Sequence, residues 1–294
     1  MTTLVNIDGR LLTAEQATVS VFDRGFLFGD SVYETVRTYG GRPFLLDRHL
    51  VRLARSADGL FLPIPRGVDA LGGEIERTLA AAENEEAYIR IVVTRGHREG
   101  FVDLDERTAE DGTVVLIVRP LAPIAPAAYD EGVDVAVVGV LRTGRRSLDP
   151  RIKSGNYLNN ILALREAKRL GCFECLMPNR DGELTEGSTS NVFLVKDGAL
   201  RTPVLDSGLL DGITRGFVLE LAAEIGLSVH EERLGLEDIE SADGMFMTSS
   251  LKEVLPVRRV KNADGEVVWE GGVHDVARRL RARYLAEAYG EPPA

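Results

Sequence analysis

The chain has five lysines, Lys153, Lys168, Lys196, Lys252 and Lys261, and arginine supplies the rest of its 35 basic residues. Any amine chemistry must fall to one of these five. Lys168 lies on the polar side of a predicted helix, Lys196 precedes an Asp-Gly turn, and Lys261 sits beside Asn262-Ala-Asp-Gly265. All three read most simply as solvated. Lys153 differs. It lies in Arg151-Ile-Lys-Ser-Gly-Asn-Tyr157, between an arginine-bearing loop at 142–151 and an apolar helix. Desolvation and neighbouring cations both lower an amine pKa and make it nucleophilic toward a carbonyl. A surface lysine that opens a helix has the same local sequence.

Three further segments follow in order. Leu184-Thr-Glu-Gly-Ser-Thr-Ser-Asn-Val-Phe193 sets one carboxylate, Glu186, among small polar residues ahead of a buried strand. Leu210-Asp-Gly-Ile-Thr-Arg215 opens a helix, whose free amides and dipole suit a phosphate, with the Thr214 hydroxyl alongside. Thr248-Ser-Ser250 puts three hydroxyls at a strand end. Each alone has a bland reading: a polar turn, a capped helix, a Ser/Thr turn. Together, a lysine, a lone carboxylate, an anion site and a hydroxyl cluster match the needs of pyridoxal 5'-phosphate (PLP). That cofactor requires an amine partner, an acid for its ring nitrogen and a phosphate cup. No Gly-rich phosphate loop, dinucleotide fingerprint, nucleophile elbow or H-E-x-x-H competes.

Composition narrows the rest. The net charge of −11 argues against nucleic acid or an anionic membrane as a main partner. Cys172 and Cys175 have C-x-x-C spacing, but the four histidines are scattered singly, so no metal is expected. Both thiols read as buried small side chains. No signal segment or membrane-length apolar run is present, and a cytoplasmic protein is expected.

The elements that must position these residues form an α+β pattern. Asp8-Gly9 predicts a hairpin turn, Val32–Tyr39 a strand, 47–60 and 68–83 helices, and Tyr88–Arg95 and Thr113–Arg119 strands. Pro120, Pro123 and Pro126 predict an irregular linker over 120–126. It separates a small domain, 1–119, from a large one, 127–294. The large domain is expected to hold a strand at 133–140 and an amphipathic helix at 157–170 that buries Leu158, Ile161 and Leu162. Strands are expected at 173–178, 191–196 and 245–248, and helices at 214–227 and 272–289.

The motifs resemble those of the class IV aminotransferases almost end to end. Lys153-Ser-Gly-Asn-Tyr-Leu-Asn-Asn160 is similar to the family's Schiff-base segment and Thr185–Phe193 to its pyridine-nitrogen segment. Gly212-Ile-Thr-Arg215 and Thr248-Ser-Ser250 resemble its phosphate cup, and His49-Leu-Val-Arg-Leu53 its small-domain phosphate arginine, here Arg52. The resemblance implies the two-domain PLP fold type IV, an active site between the domains, and a homodimer. It implies that Lys153 carries PLP and moves the proton. Glu186 would pair with the pyridine nitrogen, Tyr157 with the ring hydroxyl, and Leu210 would pack on the ring. Arg52, Ile213, Thr214, Ser249 and Ser250 would bind phosphate.

Within the family the motifs point two ways. Phe28-Gly-Asp-Ser-Val-Tyr-Glu-Thr-Val-Arg-Thr-Tyr39 and Gly171-Cys-Phe-Glu174 resemble D-amino-acid transaminases. The Arg-x-His carboxylate trap of those enzymes aligns with Gly100 and Val102, unless Arg98 and His97 replace it. Tyr88-Ile-Arg90 instead resembles the branched-chain aminotransferases. The expectation is a D-amino-acid transaminase acting on an amino acid and an α-keto acid. Its substrate residues would be Tyr33, Tyr88 and Arg90, with Arg37, Arg24 or Lys252 assisting. A branched-chain L-aminotransferase, an (R)-amine transaminase, an aminodeoxychorismate lyase and a non-enzymatic binding module are the alternatives.

Overall fold

A computed structural model describes residues 2–97 and 112–290. The chain divides into two compact units. One is Met1–Ala122 with the short segment Ile152–Asn156, and the other is Pro123–Arg151 with Tyr157–Ala294.

The first unit is built on a six-stranded antiparallel sheet. Its elements are β1 (Leu4–Ile7), β2 (Arg10–Thr13), a short α1 (Arg24–Phe28), β3 (Ser31–Tyr39) and β4 (Arg42–Pro43). Then come α2 (Leu46–Gly59), α3 (Gly67–Ala82), β5 (Ala87–Thr94) and β6 (Thr113–Pro120). The sheet order is β2-β1-β6-β5-β3-β4. Period-two alternation divides its faces. Val32, Val36, Ile89, Ile91, Val93, Val114, Leu116 and Val118 pack with Leu53, Leu71 and Ile75 of the two helices. The residues between them, including Tyr33, Arg37, Tyr88 and Arg90, fall on the opposite face.

The second unit is a mixed sheet with helices. Its elements are α4 (Pro126–Asp130), β7 (Val133–Val137), α5 (Leu158–Arg169), β8 (Glu174–Pro178), β9 (Leu184–Glu186), β10 (Asn191–Lys196) and β11 (Ala199–Pro203). After them come α6 (Ile213–Glu224), β12 (Val229–Glu232), α7 (Leu236–Glu240), β13 (Gly244–Ser249), β14 (Glu253–Lys261), β15 (Val267–Glu270) and α8 (Asp275–Tyr289). The order is β12-β11-β10-β13-β14-β7-β8-β9, with β15 on β14. Strands β7, β8 and β14 run parallel, and the pairs among β10, β11, β13 and β14 that adjoin are antiparallel.

Three expectations are corrected. The proline segment is partly regular: Pro120 ends β6, and Pro126 opens α4 at a first-turn position whose amide needs no partner. Helix α5 buries Asn160, Ala163 and Ala167, while Leu158, Ile161 and Leu162 are about half exposed or more. Small residues let the helix backbone lie close on β7 and β8, so the small face wins over the apolar one. Residues 138–140 do not continue the strand, which ends at Val137. No helix among the described residues is long and apolar enough to cross a membrane.

Candidate active site

In the first unit, Lys153 is added to the edge of the sheet. The amide of Tyr33 donates to the Lys153 carbonyl at 3.0 Å, and Gly155 N–H donates to Ser31 O at 2.8 Å. The Lys153 amide in turn donates to Ser56 Oγ of α2 at 3.1 Å. A Cβ at Gly155 would strike the Ser31 hydroxyl, so any larger residue there requires that side chain to turn away. This short segment, bridged to β3 at Val32 and Ser154, holds the Lys153 stem at the start of β3. Its Nζ donates to Tyr33 Oη at 3.3 Å and lies 4.3 Å from the ring centroid.

Tyr33 has a second cation. The Arg90 guanidinium stacks on the same ring at 4.0 Å. Arg90 comes from β5, where it pairs in register with Thr35, and Tyr88 pairs with Arg37. Arg119 covers Tyr88 at 4.4 Å, and Arg37 covers Tyr39 at 4.0 Å. The helix-free face is therefore a row of arginine–tyrosine stacks, with Lys153 at one end.

The helix face carries a buried charged cluster. Glu34 accepts from Arg52 Nε and Nη2, both at 2.7 Å, and from His49 Nδ1 at 2.7 Å. Burial pushes the Glu34 carboxyl up, but the Arg52 charge and the hydrogen bonds from Arg52 and His49 outweigh it and hold it far below the usual range. Burial also pushes the His49 imidazole down, against the pull of Glu34. His49 is thus a neutral N–H donor, and the ion pair proper is Glu34–Arg52.

Arg24 is buried and ion-paired to Asp30 at 3.0 Å, which Arg95 shares at 2.8 Å. The ring of His97 meets Phe22 edge-on. Arg98, Gly100 and Val102 lie outside the described residues.

In the second unit, the buried Glu186 ends β9. Its Oε1 accepts from Arg142 Nε at 2.7 Å and its Oε2 from the Leu210 amide at 3.0 Å. Asn159 Oδ1 orients Arg142 through Nη1 at 3.2 Å. The Leu210 carbonyl accepts from Asn191 Nδ2 at 2.9 Å. Gly212 is the N-cap of α6 and offers no side chain to its first-turn amides, those of Ile213 and Thr214 included. A Cβ at Gly212 would collide with Asn191 Oδ1. Asn191 pairs in register with Thr248, so the end of β13 and the start of β10 lie side by side at one end of these strands. There Ser249 Oγ accepts the Lys252 amide at 3.1 Å, and Ser250 is half-buried. Tyr157 is the N-cap residue of α5.

Lys252 does not stand open to a substrate carboxylate. Its ammonium is the counter-ion of buried Glu174 at 2.6 Å. A cation so neutralised is a poor anchor for a second anion, which corrects the expectation for this residue. Sequence reasoning also gave no role to Arg142, Asn191, Glu34, Ser56 or Glu174. Glu34, Glu174 and Asn191 fall inside quoted motifs without a role of their own, Arg142 opens the 142–151 loop, and Ser56 lies within the predicted helix 47–60.

The donor set suits a phosphorylated pyridine. A carboxylate is steered by an arginine and an amide, an uncapped helix N-terminus lies three residues past that amide, and Thr248 Oγ1 is buried with no partner among the described residues. Such a hydroxyl costs about 1–3 kcal/mol unless a ligand satisfies it. The cysteines offer no competing chemistry. Both are buried and free, and burial pushes each thiol up. Among the described residues no His, Cys, Asp and Glu group could hold a metal.

The family model for amino-transferase class IV matches residues 31–260, most of the chain, including Arg52, Lys153, Glu186, the start of α6 and Thr248–Ser250. The chain is a class IV aminotransferase. Class IV aminotransferases depend on PLP. The chain is 36% identical, over 95% of its length and 94% of the other, to a Methanocaldococcus jannaschii protein provisionally named a branched-chain-amino-acid aminotransferase. It is 32% identical to a D-alanine aminotransferase of Listeria monocytogenes, covering 96% of this chain and 95% of that one. The fold of this class IV aminotransferase matches the Escherichia coli branched-chain amino acid aminotransferase with a TM-score of 0.91. The identity is 29% over 100% of this chain and 97% of that one. This likeness fixes fold type IV.

Proposed function

We propose that this class IV aminotransferase exchanges an amino group between a D-amino acid and a 2-oxo acid, with Lys153 as the amine and Arg90 as the carboxylate anchor. The observation that carries it is the Tyr33 ring, which touches the Lys153 ammonium and the Arg90 guanidinium at once. An α-amino acid presents an amine and a carboxylate on one carbon. A lysine and an arginine gathered on one ring offer a partner to each group. The choice of D-amino acids rests on the Phe28–Tyr39 motif and on the D-alanine aminotransferase relative.

The residues that would hold PLP are Lys153, Glu186, Tyr157, Leu210, Arg52, Ile213, Thr214, Ser249 and Ser250. Bound PLP supplies an electron sink for the bonds to the substrate α-carbon. Glu186, steered by Arg142 and the Leu210 amide, favours a proton on the ring nitrogen. Lys153 Nζ gives and takes the α-proton as general acid and base, and Tyr33 Oη is its hydrogen-bond partner. The amides of Ile213 and Thr214 and the Arg52 guanidinium neutralise phosphate. Glu34 engages Arg52 Nε and Nη2 and so sets the direction of the guanidinium.

A second reading is a branched-chain L-aminotransferase. It is favoured by Tyr88-Ile-Arg90 on the open face of the sheet and by the M. jannaschii relative. A homodimer accords with the exposed Phe22, Phe26 and Leu27 of the first unit and the exposed Leu158 and Ile161 of the second. The two buried, free thiols fit a reducing cytoplasm.

The test is a half-reaction followed by absorbance. PLP-loaded protein is mixed separately with D-alanine, L-leucine and (R)-1-phenylethylamine. Rapid loss of the aldehyde-form band with D-alanine alone supports the D-amino-acid reading. Conversion by L-leucine moves the assignment to the branched-chain enzymes, and by the amine to amine transaminases. Silence with all three points to a lyase.

A further inference from the structure

Lys252 and Glu174 lie outside every role assigned above, yet they form a closely held ion pair in the second unit. Glu174 opens β8 and is 1% exposed. Its Oε1 accepts from the Cys175 amide at 2.9 Å and the Ser188 amide at 3.1 Å. Its Oε2 accepts from Lys252 Nζ at 2.6 Å and Ser190 Oγ at 3.3 Å. Lys252 Nζ also donates to Thr189 Oγ1 at 2.6 Å, and its own amide closes a turn on Ser249. The partners thus come from three segments: the start of β8, the loop Gly187–Ser190, and the turn Ser249–Lys252. The loop begins directly after Glu186, and the turn carries Ser249 and Ser250.

Stability alone does not account for such a pair. Two well-packed apolar side chains would hold the fold about as well, because desolvation offsets most of the Coulombic gain. What a charged pair adds is direction. One carboxylate that takes donors from three segments fixes their register, and an apolar contact does not.

We infer that Lys252 and Glu174 are a positioning pair: the ammonium ties the Gly187–Ser190 loop to the Ser249–Lys252 turn and so fixes Glu186 against the hydroxyls of Ser249 and Ser250. The inference rests on the reading of Glu186, Ser249 and Ser250 as PLP-holding residues. Neither Lys252 nor Glu174 is assigned a contact with substrate.

The experiment compares the full-length wild type with Lys252→Met, Lys252→Arg and Glu174→Gln/Lys252→Met. Two quantities are read: the thermal midpoint of the PLP-free protein, and the PLP dissociation constant by absorbance titration. Loss of a group that orients a metal-ligating side chain typically costs about 10- to 100-fold in affinity, and the same logic applies to a side chain that holds PLP. Lys252→Met should weaken PLP binding by about that factor, and Lys252→Arg should recover most of it. The double variant leaves no unpaired buried charge, so it folds even if Lys252→Met does not. It should regain the thermal midpoint and still bind PLP weakly. Wild-type affinity in the double variant would overturn the proposal, because the pair would then serve folding only. A wild-type protein that takes up no PLP would refute the cofactor reading and this inference with it, and that result is visible before any substitution is made.

Discussion

The Arg52 guanidinium is held along one edge by Glu34, Nε on Oε1 and Nη2 on Oε2, both at 2.7 Å. Glu34 comes from β3 and Arg52 from α2, and both are buried. The pair therefore ties strand to helix and fixes the direction of the guanidinium.

Glu34→Gln removes the carboxylate that pairs with buried Arg52. We expect a loss of about 3–5 kcal/mol in unfolding free energy, the usual cost of breaking a buried pair. Urea unfolding measures it. A change within about 0.5 kcal/mol, ordinary for a surface site, would contradict the burial argument.

Glu174 predicts a specific acid limb. Burial pushes its carboxyl up, but the Lys252 charge and hydrogen bonds pull it down to about 2. An unfolded glutamate titrates near 4.3, about two units higher. Over that window the unfolded chain binds the extra proton, so stability rises with pH. The contribution is complete above about pH 4.3 and is lost as pH falls toward about 2. Glu34, also depressed, acts in the same direction. Glu174→Gln/Lys252→Met should show a shallower fall in stability between pH 4.3 and 2 than the wild type. Equal slopes would mean that Glu174 is not ionised in the fold.

Arg90→Ala removes one of the two cations on the Tyr33 ring and leaves Lys153. Hydrogen bonds to charged groups contribute about 1.5–3 kcal/mol, so kcat/KM for 2-oxo acids should fall by roughly 10- to 150-fold. Steady-state kinetics with pyruvate reads it. Unchanged kinetics would remove Arg90 from the substrate-binding residues.

Cys172 and Cys175 are buried, and burial pushes both thiols up. Native protein should react slowly with a thiol reagent and release two equivalents only on unfolding. Fast labelling of either cysteine would contradict the packing.

The sequence shows what repeats locally and hides what pairs at long range. Tyr88–Arg95 and Thr113–Arg119 alternate, and the strands β5 and β6 lie there within one residue at each end. Lys153 was legible because lysines are rare and its neighbours unusual. Its placement was not: a segment between two stretches of the second unit joins the edge of the first unit's sheet. Arg142 and Glu186 are 44 residues apart, and Glu174 and Lys252 78, so no local pattern joins them. Helix α5 misleads for another reason. Its leucines suggest a buried face, but Ala163 and Ala167 fit closer to the sheet.

The central claim is that Lys153 carries the cofactor, and chemical trapping tests it most directly. Protein incubated with PLP is reduced with borohydride, digested and mapped by mass spectrometry. A single pyridoxyl label is expected on Lys153, absent from Lys153→Ala. A label on Lys168, Lys196, Lys252 or Lys261 in its place would contradict it.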